Sequence, residues 1–373
     1  MTAQPTAARR PSHAVVGAGF AKQLFGRPAE RRLRAALDEG LERVERVLAE
    51  QVRYADEVAQ VTTTYLLDAG GKRLRPMLVL LTAQLGPDPV NEELDLAAAA
   101  VEITHLASLY HDDVMDEATL RRGVTAAHLQ WSNSTAILAG DLLFARASQV
   151  FSELGTEAIR LQADVFERLV LGQMHETIGP REGQDRIEHY LQVLADKTGS
   201  LIAAAAVYGV MLSGAPDEYK AAMREFGEGV GVAFQIVDDV IDLSPDHGKT
   251  GKLAGTDLRA GVETLPVLLL EQRAERGDAD AADLLERIRT RVAGTAPGSA
   301  DPTLARPEAV GSADEDEIAA IVAELRDHDV TRETLEAAQA QVRRATGALD
   351  ALPAGVVREA LREFAERLVN RDF

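Results

Sequence analysis

Two short segments of this chain place carboxylates where they could hold a hard cation: His111-Asp112-Asp113-Val114-Met115-Asp116 and Val237-Asp238-Asp239-Val240-Ile241-Asp242. Residues four apart share a helix face, so Asp112 stacks over Asp116 and Asp238 over Asp242. Like charges at that spacing destabilise an isolated helix by about 0.2–0.5 kcal/mol. Each cluster also follows a strongly apolar segment, Ile103 to Tyr110 and Val230 to Ile236. Carboxylates leading into an apolar cavity are costly unless a cation neutralises them. Divalent cations with oxygen ligands do so, and Mg²⁺ takes a carboxylate or two together with phosphate oxygens and water. One such cluster alone reads as a solvated helix end or an N-cap. Two copies in apolar contexts point instead to facing clusters that bind several metal ions on one diphosphate and absorb its charge as it leaves.

An anionic substrate needs local positive charge, because the whole chain is acidic: 60 Asp and Glu against 40 Lys and Arg, a formal net charge of −20. That balance repels phosphate backbones and argues against nucleic acid as a partner. The cations are concentrated in a few places. Gly70-Gly71-Lys72-Arg73-Leu74-Arg75-Pro76 packs three of them between glycines and a proline. The glycines permit close backbone approach, and lysine plus arginine offer a point charge and a bidentate fork for phosphate. Arg121-Arg122-Gly123 follows the first aspartate cluster by five residues. Taken alone, either is a surface basic turn; beside an acidic metal site they form a local anion trap. Lys197, in Lys197-Thr198-Gly199-Ser200-Leu201, and Lys252 are two further candidates.

The elements that carry these residues read as helices. Hydrophobic residues make up 46% of the 373 but aromatics only 4%, a composition suited to closely packed helices more than to a sheet sandwich. Residues 1 to 29 are rich in Ala, Pro, Arg and Gly and read as a disordered leader, not as a secretion signal. From Ala29, Leu33, Leu37, Leu41, Val44 and Leu48 recur at helical spacing. No proline occurs between Pro89 and Pro180, so several long helices fit there, with Gly123, Gly140, Gly155 and Gly179 as breaks. No period-two run demands a strand. Pro297, Pro302 and Pro307 mark a flexible loop over 294–313, after which helical patterning resumes. The expectation is an all-α chain with one catalytic domain over 30–373. It has no cysteine, hence no disulfide or thiolate site, and no apolar run approaches the roughly 20 residues that span a bilayer. A cytoplasmic location agrees with both.

Taken in order, these motifs resemble those of the trans-isoprenyl diphosphate synthases, the polyprenyl synthetase family. Beside the segments above they include His105 before the first aspartates, Gly140-Asp141-Leu142-Leu143, Phe234-Gln235 before the second, Gly255-Thr256-Asp257-Leu258 and Thr264-Leu265-Pro266. The likeness runs from about Ala29 to Phe373. It implies an isoprenoid-synthase fold, with helices around a large central cavity, and a homodimer. It assigns Asp112, Asp116 and Asp238 as Mg²⁺ ligands, supported by Asp113, Asp239 and Asp242. Lys72, Arg75, His105 and Arg122 would hold isopentenyl diphosphate; Arg121, Lys197, Gln235 and Lys252 would hold the allylic diphosphate. The catalytic set it implies is Asp112, Asp113, Asp116, Lys197, Asp238 and Asp239. Diphosphate leaves the allylic substrate, the isopentenyl double bond attacks the cation, and a proton is lost, with the protein supplying charge stabilisation, alignment and a dry cavity.

The chain departs from the family pattern at Val262, where many members carry a lysine, and at Thr125-Ala126, where Pro-Thr is common. Ala107 and Ser108, five and four residues before Asp112, point about one turn down the cavity. Small side chains there leave a tunnel open, as in the medium- and long-chain synthases that make quinone side chains from farnesyl or geranylgeranyl primers. Ala107 could equally pack another helix. A geranylgeranyl diphosphate synthase is the nearest alternative. A terpene cyclase fits less well, because the second cluster is all aspartate and the Lys72, Arg75 and His105 set offers a second diphosphate site. A non-catalytic regulatory subunit would be expected to have lost some of the six aspartates, all of which are present.

Overall fold

The protein is described by a computed structural model covering residues 28–244, 254–293 and 315–369. Lys252, most of the expected leader and the expected loop at 294–313 lie outside the described residues. The chain runs α1 (Pro28–Gln51), α2 (Glu57–Asp68), α3 (Leu74–Ala83) and α4 (Glu92–Met115), then a hairpin of β1 (Leu120–Arg121) and β2 (Val124–Thr125). It continues with α5 (Ala127–Gln130), α6 (Asn133–Glu153), α7 (Thr156–Ile178), α8 (Arg186–Leu194), a π-turn at Ala195–Gly199, α9 (Ser200–Leu212) and α10 (Tyr219–Asp242). Then follow α11 (Thr256–Ala260), α12 (Leu265–Glu275), α13 (Ala279–Arg287), α14 (Glu315–Asp327), α15 (Asp329–Ala348) and α16 (Val356–Val369).

Helix starts are written locally. Asp56, Asn91, Ser132 and Asp185 each accept a hydrogen bond from the backbone N–H three residues on, at 2.9–3.1 Å. Gly155 and Gly179, at φ 100° and 80°, bracket α7 as expected. Two expectations change. Gly140 does not break a helix but lies inside α6, where a Cβ would sit 2.4 Å from the His111 ring; the glycine lets α6 close on α4. Among the described residues the chain is all-α apart from the hairpin, whose turn residues Arg122 and Gly123 both have positive φ, 53° and 78°, matching the twist that two-residue hairpins need.

The main core gathers α1, α3, α4, α6, α9, α10 and α16. Leu33, Leu37, Leu41, Val44 and Leu48 are all buried, so the periodic stripe of α1 is its inward face. A smaller core joins Leu243 and Leu258 to α12, α13 and α14. From Arg186 to Leu212 the helical run is long and apolar enough to cross a membrane by composition, which the reading of single apolar runs did not anticipate. Its apolar stretch is 83% buried in the core. There the π-turn meets α10 closely enough that a Cβ on Gly231 would lie 2.6 Å from Gly199 Cα.

Candidate active site

Both aspartate clusters lie at the C-terminal ends of helices. Asp112 and Asp113 occupy the last turn of α4, Asp116 follows it, and Asp238, Asp239 and Asp242 close α10. Neither last turn carries a basic residue. Carboxylates there oppose the helix dipole, an arrangement that favours a bound cation over mere stability. Burial pushes the Asp112 carboxyl up to about 6, against the pull of Lys197, and Asp116 raises it further. Partial desolvation by the surrounding protein raises Asp116 too, again opposed by Lys197, although its side chain reaches solvent. The donors are all oxygen, which fits a hard divalent cation. Among the described residues no three acidic, histidine or cysteine side chains already converge on one point. Ligation shared between the two helices, completed by phosphate oxygens and water, suits this layout.

The middle aspartates do something else. Asp113 is fully buried and accepts a 2.6 Å hydrogen bond from Arg121, while its second oxygen is buried with no partner. Asp239 is buried and accepts a hydrogen bond from the Tyr190 hydroxyl; burial raises its carboxyl well above the usual range. Both point into protein, so their geometry is that of groups anchoring the cluster, not of outward ligands. Arg121, expected on the allylic diphosphate, is correspondingly engaged with Asp113. Asp242 accepts from the Asp257 backbone N–H at 3.0 Å, which ties the second cluster to α11.

Between the two helices runs the π-turn. Lys197 faces the first cluster and is ion-paired with Glu176. Its neighbour Thr198 donates to Gln235 of α10 at 3.3 Å. The structure thus brings Lys197 and Gln235 together beside the aspartates.

A second set of cations forms around Glu102, which is 2% exposed within α4. Arg73, held in the left-handed region at φ 51°, donates to Glu102 at 3.0 Å and to Glu45 at 2.5 Å. Arg122 lies 3.6 Å from Glu102 and donates to the carbonyls of Leu66 and Gly70. A Cβ on Gly71 would stand 2.5 Å from an Arg73 nitrogen and 3.0 Å from Arg122, so a side chain there would push the two guanidinium groups aside. Arg75 faces the same centre with its Nε unbonded, and burial lowers its guanidinium to about 10. Burial, then Arg75 and Arg122, hold His105 well below the ordinary histidine range, leaving it neutral. Lys72 is exposed at the rim. Arg75 borders a small cleft of about 30 Å³, walled by Leu78, Ile202, Phe234, Phe364 and Leu368. A cationic edge beside an apolar wall has the chemistry of a short alkenyl diphosphate site, and at this size its walls must part to admit one.

Ala107 and Ser108 separate. Ala107 is fully buried, with its carbonyl 3.2 Å from where a Cβ on Gly140 would lie, so it packs α4 on α6. Ser108 is half-buried on the Asp112 face, its hydroxyl turned back to the His105 carbonyl at 2.9 Å. Glu102, Tyr190 and Glu176 were not anticipated. Glu102 alone carried a signal, being a single carboxylate in the apolar run Ala97 to Leu106.

The sequence profile of the polyprenyl synthetase family matches residues 56–294. A nonaprenyl diphosphate synthase of Mycobacterium tuberculosis is 48% identical over 260 residues, 70% of this chain and 75% of that one. The crystal structure of a polyprenyl synthase from Caulobacter crescentus, complexed with calcium and isoprenyl diphosphate, aligns with a TM-score of 0.77 at 31% identity. It covers 91% of this chain and 97% of that one. A geranylgeranyl pyrophosphate synthase from Corynebacterium glutamicum, complexed likewise, aligns at 0.75 and 38% identity, over 92% and 98% of the two chains.

Proposed function

This chain belongs to the polyprenyl synthetase family, and on that premise we propose that it is a prenyltransferase that condenses isopentenyl diphosphate with an allylic diphosphate. The product is an all-trans polyprenyl diphosphate of medium or long chain, suited to a quinone side chain. The observation that carries this reading is the separation of two anion-binding sets. One comprises Lys197 and the aspartates of α4 and α10; the other comprises Arg75, Arg122 and His105 around Glu102. A cyclase acting on one diphosphate has no use for the second set.

Asp112, Asp116 and Asp238 would hold Mg²⁺, which supplies neutralisation of the departing diphosphate. A neighbour solved with calcium and isoprenyl diphosphate supports a divalent ion in this site. Lys197 and Gln235 orient the allylic diphosphate, so that its C–O bond breaks where positive charge already waits. Arg75, Arg122 and neutral His105 hold isopentenyl diphosphate with its double bond against Phe234 and the apolar wall. That double bond forms the new C–C bond, and the proton lost from the isopentenyl unit goes to the departing diphosphate. Burial of the cleft excludes the water that would otherwise capture the cation.

A homodimer also belongs to the proposal. Ile137, Leu138 and Leu142 on α6 and Phe166, Val170, Leu171 and Met174 on α7 are exposed by 36–61%. So continuous an apolar face marks an interface, and a second copy supplies a self-complementary one. We place the enzyme in the cytoplasm, where both diphosphates are dissolved.

The test is incubation with Mg²⁺, labelled isopentenyl diphosphate and farnesyl diphosphate, with products sized after phosphatase treatment. A ladder ending at thirty carbons or more supports the reading. A stop at twenty carbons keeps the chemistry and replaces the length class. No incorporation overturns it.

A further inference from the structure

Resting on the function just proposed, we propose that Arg168 is a positioning residue whose task is to aim Lys197 at the first aspartate cluster, by clamping the π-turn that carries it. The helical run from Arg186 to Leu212 contains the turn at Ala195–Gly199. A π-turn inserts one residue into the helical ladder and is frequent at functional sites. A second one, Ile288–Val292, lies away from the aspartates, so what singles out this turn is the contacts it makes. Here adjacent side chains leave the turn in different directions. Both turn to α7 but diverge along it: Asp196 goes to Arg168, while Lys197 reaches Glu176 two turns further on and the field of Asp112 and Asp116.

Arg168 holds the Asp196 side of that split with all three nitrogens. Its Nε donates to Asp196 at 2.7 Å, one Nη to Glu228 of α10 at 2.9 Å, and the other to the Ala195 carbonyl at 3.4 Å. Gln192 takes the second Asp196 oxygen at 2.9 Å. One helical turn on from Arg168, Gly172 presents bare backbone to the turn. A Cβ there would stand 3.0 Å from Asp196 Cβ and from both the N and Cγ of Lys197. A side chain on Gly231 would press the other face, 2.6 Å from Gly199 Cα. The register of the extra residue is therefore set from two sides, and the guanidinium fork fixes it more firmly than a single ammonium would. Lys197 emerges from a rigid turn, so little rotational freedom is lost when it meets a diphosphate.

The experiment is a double-mutant cycle on the full chain with Arg168→Met, Arg168→Lys, Lys197→Ala and the two doubles. Its readouts are calorimetric binding of inorganic diphosphate with Mg²⁺, and separate KM values for farnesyl and isopentenyl diphosphates. Arg168→Met is expected to weaken inorganic diphosphate and to raise the farnesyl diphosphate KM about tenfold, with the isopentenyl diphosphate KM within about twofold. In the Lys197→Ala background the same change is expected to add nothing, and Arg168→Lys to recover part of the loss. Gly172→Ala, which leaves the clamp intact but presses on the turn, is expected to shift the same KM. Additive losses, equal rises in both KM values, or failure of both Arg168 variants to fold would each overturn the proposal. If the wild-type chain incorporates no isopentenyl units, the functional reading falls, while the inorganic diphosphate cycle still decides the role of Arg168.

Discussion

At the scale of single residues, the site separates charges placed for function from charges placed for structure. Asp112 sits half-buried at a helix C-terminus, against the dipole, with no hydrogen bond that would repay its position. Asp112→Asn is therefore expected to reduce kcat by about 10²–10³-fold, the scale of losing an electrostatic contact to developing charge. It should leave the melting temperature unchanged or higher in metal-free buffer; a clear fall would show that Asp112 is structural. Glu102 is the opposite case. It is buried among Arg73, Arg122 and Arg75, and neutralising it leaves those cations without their counter-charge. Glu102→Gln is expected to destabilise by about 3 kcal/mol, the cost of breaking a buried pair from one side, as measured by denaturant unfolding. The two variants separate catalysis from folding within one helix, ten residues apart.

At the scale of elements, α4 does most of the positioning. One face carries Asp112 and Ser108, another packs α6 through Ala107 and His111, and Glu102 anchors Arg73 of the Gly70–Pro76 segment. Gly140 is the residue of α6 that makes this possible. Gly140→Ala would place a methyl group 2.4 Å from the His111 ring, and is expected to destabilise by about 1–3 kcal/mol, as overpacking does. It should also lower turnover, since His111 adjoins Asp112. Equal stability and turnover to wild type would mean that the two helices separate freely. Ser108 gives the length prediction its element. Ser108→Phe puts a ring one turn beneath Asp112, and is expected to shorten the sized products without lowering the rate of the first condensation. An unchanged ladder would place the growing chain elsewhere.

At the scale of the whole molecule, more exposed large apolar side chains lie on α6 and α7 than on any other pair of helices among the described residues. Val170→Asp with Met174→Lys on α7 is expected to convert a dimer to a monomer in sedimentation or light scattering. A wild-type monomer at micromolar concentration would remove the dimer from the proposal. Because α4 packs directly on α6, the monomeric variant should also lose activity, by loosening the helix that holds the first aspartates. About 126 residues separate Asp112 from Asp238 in the chain, and the π-turn links their helices: Lys197 acts on Asp112 while Thr198 donates to Gln235 of α10.

Much of this was legible in the amino-acid order, for a physical reason. Metal and phosphate binding demand particular residue types at helical spacing, and such patterns are local: the paired aspartates, the Gly70–Pro76 cluster, Lys197-Thr198-Gly199 and the buried stripe of α1 were all visible before any contact was known. What only tertiary structure decided were choices between neighbours of the same type. Asp113 and Asp116 have one chemistry, yet one turns inward to Arg121 while the other stays at the exposed helix end. Ala107 and Ser108 are adjacent and small, yet only one lies on the Asp112 face. Gly140 reads as a break, yet closes two helices. Arg73 and Arg75 flank one leucine, yet the first is spent on Glu45 and Glu102 while the second faces the cleft. Composition and spacing set which groups are present. Where each side chain points depends on partners tens of residues away, and those partners meet only when the helices pack.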